Sequence, residues 1–201
     1  MSTLLKPILV RAELLRHKIH IFTPSEFSRI FHTSPWTTKY FLEQQVGQGL
    51  LTRLKQGVYA LQTDPPTEQE VANKLYQPSY ISFGYALAYH HILPEMVYQV
   101  TSATTKPTRI FATDSRVFTY YTIKVAAYNG YYLAQTETSQ FLIAEPEKAL
   151  LDYLYFHSLG RKTFPSLDRL NLSHLNQEKV KQYAQLFNRQ KLLNIVQQIY
   201  A

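Results

Sequence analysis

The residues best suited to recognise a partner cluster in one segment, "HTSPWTTKYFLEQQVGQGLLTRLKQGVYAL". Ser34, Trp36, Thr37, Lys39 and Tyr40 fall within two turns at helical spacing, and Arg53 and Lys55 stand two apart in an alternating run. At about 100° per residue, Thr38, Phe41, Leu42, Gln45 and Val46 share one side of a helix. Trp36, Lys39, Tyr40, Glu43 and Gln44 share the other, with Thr37 at its edge. The first set is mostly apolar and suits packing. The second has groups able to read base edges, stack on bases or hold phosphate. Gln45 is out of character on the inward side, and Glu43 would repel phosphate unless it sits deep or pairs. Thr33 and Ser34 at the helix start can donate to phosphate beside free backbone N–H groups. Arg53 and Lys55, alternating onto one face of a strand, make a phosphate grip. The blander alternative is that the two rings are packing residues and the charges a solvated face.

Other chemistries find less support. The chain has no Cys, which excludes disulfides, thiol catalysis and zinc–cysteine sites. A restriction-type nuclease needs an acidic pair with a lysine two residues after one member, to hold magnesium and activate water. No Asp or Glu here is followed by Lys at that spacing. In "AEPEK", Lys148 adjoins Glu147 and lies three after Glu145; the two carboxylates more simply favour a helix N-terminus. His90 and His91 would point about 100° apart on a helix, with no carboxylate cluster at ligand spacing, so both read as structural. No phosphate-cradling glycine loop is present, nor the Gly-Ser with paired aspartates of a nucleotidyltransferase. Sixteen tyrosines could form a stacking platform, but they more often fill β-rich cores and interfaces. The expectation is a non-enzyme with no catalytic residue, cofactor or metal site.

Presenting the first cluster takes a short helical module. Residues 3–17 read as an amphipathic helix with Leu4, Leu5, Ile8 and Leu15 on its stripe, and "IHIF" (19–22) as a short strand. In "TPSE", Thr23 can cap, Pro24 suits the first helical position and Glu26 can complete a capping box, for a helix running to about Phe31. Ser34-Pro35 starts the next helix, which Gly47 and Gly49 end near Gln48. "LLTRL" and "VYAL" alternate around Gln56-Gly57, a hairpin signal. Helix, strand, helix, turn, helix, hairpin is the order of a winged helix-turn-helix, whose last helix enters the major groove. "QTDPPTEQE" is the one strong linker signal, dividing residues 1–62 from 63–201. Residues 1–62 hold eight Lys/Arg against three Asp/Glu, net +5, whereas residues 64–201 hold 13 against 11, net +2. The smaller part carries most of the excess, as a phosphate-binding module requires.

Beyond the linker, helices are expected near 67–75 and 79–91. A β-rich stretch follows ("YQVTSATT", "TRIFAT", "RVFTYYTIKV", "YYLAQT", "FLIA"), then a helix over 145–159 and one or two over 177–200. The expected fold class is α+β, a winged helix-turn-helix followed by a mixed α/β domain with a β-rich centre and C-terminal helices. The N-terminus lacks a signal-peptide core, and no run approaches the roughly 20 apolar residues that span a bilayer. A cytoplasmic protein without a membrane partner is expected.

Four segments carry a family likeness: "GLLTRLKQGVYAL", "ANKLYQPSYISFGYALAYHHILPE", "VTSATTKPTRIF" and "IAEPEKALLDYLY". On these the chain resembles the AbiEi-type antitoxins, transcriptional regulators of type IV toxin–antitoxin systems linked to abortive phage infection. The likeness covers most of residues 20–156 and leaves the role of 160–201 open. It implies an N-terminal winged helix that represses its own operon through upstream inverted repeats. It also implies a C-terminal antitoxin domain that counteracts a nucleotidyltransferase-like toxin encoded next door, with no direct contact required. The DNA-facing positions carried over are Ser34, Trp36, Thr37, Lys39, Tyr40, Arg53 and Lys55. One short helix reads few base pairs, so two modules would have to meet paired half-sites, as a homodimer or as cooperative monomers. The alternatives are a protein-interaction module using the winged helix and the tyrosine-rich domain as docking surfaces, a nucleic-acid enzyme with an unrecognised site, and an orphan regulator with no toxin beside it.

Overall fold

Two capped helix starts organise the first part of the chain. The computed structural model describes residues 5–113, 116–160 and 169–200. The N–H of Glu26 donates to Thr23 Oγ1 at 3.3 Å, and the Glu26 carboxylate accepts the Thr23 N–H at 2.7 Å. This capping box, with Pro24 behind it, opens α2 (Pro24–Phe31). His32 ends α2 in the left-handed region, at φ +50°, and Ser34 then caps α3 (Pro35–Gly47). Before them lie α1 (Pro7–Arg16) and the two-residue strand β1 (Ile21–Phe22). The first helix begins at Pro7 rather than at residue 3. Proline favours the first helical position and biases the residue before it away from helix, and Lys6 is accordingly extended. Leu4, expected on the stripe, lies outside the described residues.

After α3 the chain forms a hairpin, β2 (Leu51–Lys55) and β3 (Val58–Leu61), turning at Gln56-Gly57 with Gly57 at φ +76°. The three strands form an antiparallel sheet in the order β1-β3-β2. Phe27 sits within 5.6 Å of the rings of Phe22, Phe31 and Phe41, in a core shared with Val10, Leu14, Leu42, Leu51 and Leu61. A second Thr/Glu capping box, Thr67 with Glu70, begins α4 (Glu68–Leu75). Lys74 of α4 pairs with Glu26 of α2 at 2.5 Å, and Asp64 pairs with Arg11 of α1 at 2.7 Å. The compact unit therefore runs on past Gln62: it comprises Met1–Leu75 with Gln135–Ser139. Residues 1–75 hold nine Lys/Arg against six Asp/Glu, net +3.

The second unit comprises Tyr76–Ala134 and Gln140–Ala201. Its strands are β4 (Ser79–Ile81), β5 (Val100–Thr104), β6 (Arg109–Ala112), β7 (Val117–Thr122), β8 (Tyr131–Gln135) and β9 (Gln140–Ala144), in the sheet order β6-β7-β5-β4-β9-β8. β4 runs antiparallel to β5 and parallel to β9, β5 parallel to β7, and β6 antiparallel to β7. The helices are α5 (Phe83–Tyr89), α6 (Pro146–Ser158), α7 (Gln177–Leu186) and α8 (Gln190–Ile199). The continuous helix expected over 79–91 is corrected here. Ser79, Tyr80 and Ile81 are all buried and hydrogen-bonded between two strands, and the helix begins only at Phe83. A short apolar run buried on both faces has no period that separates strand from helix. α6 is buried nearly all round and packs on α5, α7, α8 and β9. The fold is mixed α+β, and among the described residues no helix is long and apolar enough to cross a membrane.

Candidate nucleic-acid interface

α3 is two-faced, because its inward residues are needed for the first unit's core. Thr38, Phe41, Leu42 and Gln45 are buried, and Gln45 satisfies its amide by donating to Gln48 Oε1 at 2.9 Å. Trp36, Lys39, Tyr40, Glu43 and Gln44 are exposed, and Thr37 is half-buried at the margin. Both rings are open to solvent, Trp36 at 76% and Tyr40 at 59%. They lie one helical turn apart and stack, centroids 5.9 Å apart and planes 10° from parallel. Stacking holds each ring in place without removing its outer face from solvent.

The polar groups around these rings have local partners. Ser34 Oγ accepts the Thr37 N–H at 3.1 Å and shares a hydrogen with Thr37 Oγ1 at 2.8 Å. Thr33 Oγ1 is hydrogen-bonded to Thr38 Oγ1 at 2.7 Å. Lys39 stands 4.0 Å from Glu43 on the next turn, so the carboxylate has the pairing it needed, and the outward face is electrically neutral. The N-terminal end of α3 still carries the positive end of the helix dipole.

On the hairpin, the two basic residues have different surroundings. Arg53 is exposed and, among the described residues, has no ion-pair or hydrogen-bond partner. Lys55 is half-buried, its ammonium donating to the Leu75 carbonyl at the end of α4. Strand pairing sets Arg53 opposite Tyr59 but Lys55 opposite Val58, leaving Leu54 as an extra residue. That irregularity removes the strict alternation that would put both side chains on one face. α3 packs directly against β2, so helix and hairpin belong to one surface-building assembly.

No known protein family and no characterised protein matches the chain.

In the second unit, the "AEPEK" carboxylates have internal partners that the sequence reading did not foresee. Glu145 takes a hydrogen bond from Tyr183 at 2.6 Å and pairs with Lys179 at 2.7 Å, while Glu147 accepts the Asn176 N–H at 3.1 Å. Both carboxylates thus hold α7. Lys148 is fully buried against Asp152, one turn on, and burial pushes its pKa down while Asp152 works against that. Asp152 also accepts from Tyr80 at 3.0 Å and Ser82 at 2.7 Å. The i,i+4 spacing of Lys148 and Asp152 was the available signal, but that spacing is far commoner on exposed helix faces. His90 is bonded to the Ala144 carbonyl at 2.8 Å, and burial lowers its pKa.

Proposed function

We propose that the chain is a non-enzymatic, DNA-binding transcriptional regulator whose first unit works as a winged helix-turn-helix. The observation that carries the reading is α3 itself: one face in the core, the other presenting Trp36, Lys39, Tyr40 and Gln44 to solvent. A tight turn at His32 precedes it and a basic hairpin follows, so the helix has the neighbours that a groove-reading helix uses. Arg53 and Lys39 are the phosphate contacts in this reading, Trp36, Thr37, Tyr40 and Gln44 face the bases, and Ser34 presents the helix N-terminus. The second unit is the antitoxin part. That half rests on the resemblance of the quoted segments to AbiEi-type antitoxins, and its counterpart is a nucleotidyltransferase-like toxin that need not touch it. No cofactor is involved, and the site of action is the cytoplasm.

The test is titration of the region upstream of the chain's own gene, about 200 base pairs long, with nonspecific competitor present. Raising salt from 50 to 200 mM should weaken binding by about two orders of magnitude if about four phosphates are neutralised. Footprints should fall on inverted repeats. Binding no better than competitor DNA ends the autoregulation reading and makes the exposed rings a protein-docking surface. For the antitoxin half, coexpression with the neighbouring open reading frame should restore growth that this reading frame alone suppresses.

A further inference from the structure

If α3 reads base pairs, its chemistry specifies which feature it reads. Bidentate readout of guanine is typically the work of Arg or Lys, and that of adenine the work of Asn or Gln. The outward face of α3 has no Arg and no Asn, and its Gln44 lies in the third turn, beyond Tyr40 and away from the N-terminal end that enters the groove. Its one Lys stands beside Glu43, and the Thr37 hydroxyl is already shared with Ser34. What dominates the face is the parallel Trp36–Tyr40 stack, held with its outer surfaces uncovered. The major groove offers such a surface one apolar feature, the 5-methyl group of thymine. An aromatic face buries a methyl group without leaving a polar atom unpaired. A preformed stack also loses little side-chain freedom on binding.

We infer that the Trp36–Tyr40 pair is a thymine-methyl reader, so that this chain's preferred half-sites place thymines where α3 enters the groove. The inference rests on the proposed DNA-binding role. Each methyl group buried against the rings strengthens binding by about three- to fourfold. A few such contacts over two half-sites therefore give a tenfold preference or more.

The experiment uses the full chain and the same upstream fragment, amplified once with dTTP and once with dUTP. Uracil pairs as thymine does and lacks only the methyl group. The wild-type chain should bind the uracil fragment at least about tenfold more weakly than the thymine fragment, at equal salt and competitor. Trp36→Ala and Tyr40→Ala should each lower affinity for the thymine fragment and shrink the difference between the two DNAs. Both rings are largely exposed, so both variants should keep the wild-type circular dichroism spectrum and melting curve. Equal wild-type binding to both DNAs overturns the methyl-reading inference and leaves the DNA-binding role standing. A uracil effect undiminished in both variants also overturns it, because the methyl groups would then be sensed elsewhere or through DNA shape. No retarded complex with either fragment at 50 mM salt removes the DNA-binding role and the inference together.

Discussion

α3 and α6 are built alike and used in opposite ways. Each has 13 residues, and each begins with a proline at its first position. α3 exposes its only tryptophan and a tyrosine, whereas α6 buries a lysine, an aspartate and a glutamate. Burial of aromatic rings and exposure of charge is the cheap arrangement, and both helices depart from it. The departures differ in kind. In α6 every buried charge has a partner, so the energetics close within the fold: Lys148 with Asp152, Asp152 with two hydroxyls, Glu147 with a backbone N–H. In α3 the exposed rings, among the described residues, make ring contact only with each other. An arrangement satisfied internally is architecture, and one left open to solvent is free to meet a partner, which is the role proposed above for the outward face of α3.

Breaking the closed arrangement should produce the largest effect. Asp152→Ala leaves the Lys148 ammonium buried without its counter-charge and strands the hydroxyls of Tyr80 and Ser82. The loss should be about 3–5 kcal/mol, measured by urea unfolding. Lys148→Met with Asp152→Asn removes both charges but keeps an acceptor for the hydroxyls, so the double variant should be clearly more stable than the single one. If the two are equally unstable, the contrast between α3 and α6 is one of packing volume rather than of charge.

The next effect tests how α7 is held against the start of α6. Gly130 has φ +68°, and a Cβ placed there would lie 2.6 Å from Tyr183 Cζ. Tyr183 cannot simply swing away, since its hydroxyl donates to Glu145. Gly130→Ala should cost about 1–3 kcal/mol, from the backbone strain and the displaced ring together. Thermal unfolding with the wild-type chain alongside is the check.

How far these arrangements could be read in advance depended on whether the controlling interactions were local. The Thr23–Glu26 box, the Ser34 cap, the two faces of α3 and the Gln56-Gly57 turn each lie within a few residues of sequence. Each was legible there, including Gln45 as the polar residue on the inward face. The place of β4 was not, because Ser79–Ile81 is defined by partners near residues 102–104 and 143. The sheet order, with parallel neighbours far apart in sequence, was closed for the same reason. In the candidate site, the exposure of Trp36 and Tyr40 followed from helical spacing. Their stacking, the attachment of Lys55 to α4 and the extension of the first unit to Leu75 all depend on groups brought together by folding.

A smaller effect concerns acid. Burial alone would raise the Glu26 pKa, but the bonds from Lys74 and from Thr23 outweigh it and hold the carboxyl below its usual 4.5. The unfolded chain therefore binds that proton more readily than the folded one. The stabilisation from Glu26 is complete above about pH 4.5 and is lost as pH falls through the lower folded value. Glu26→Gln should cost about 1 kcal/mol at pH 7, as a weakened helix cap does, and should flatten the stability curve as pH falls below about 4.5. A curve parallel to wild type over that range would remove Glu26 as its source.

The finest division lies within the hairpin, where the α3–α6 contrast recurs between two neighbouring cations. Lys55 resembles the residues of α6, since its ammonium already serves the carbonyl end of α4; Arg53 resembles the rings of α3, exposed and without a partner among the described residues. Lys55→Ala should therefore lower stability slightly, by about 0.3–1 kcal/mol, through loss of a cation at a helix C-terminus. It should leave the salt dependence of DNA binding nearly as in wild type. Arg53→Ala should do the reverse: stability within about 0.5 kcal/mol of wild type, and a salt slope smaller by about one. The two slopes, measured on the same upstream fragment, decide the matter. If Lys55→Ala lowers the slope as much as Arg53→Ala, the ammonium leaves the Leu75 carbonyl for phosphate on binding, and an internal partner is no guarantee of a purely structural role.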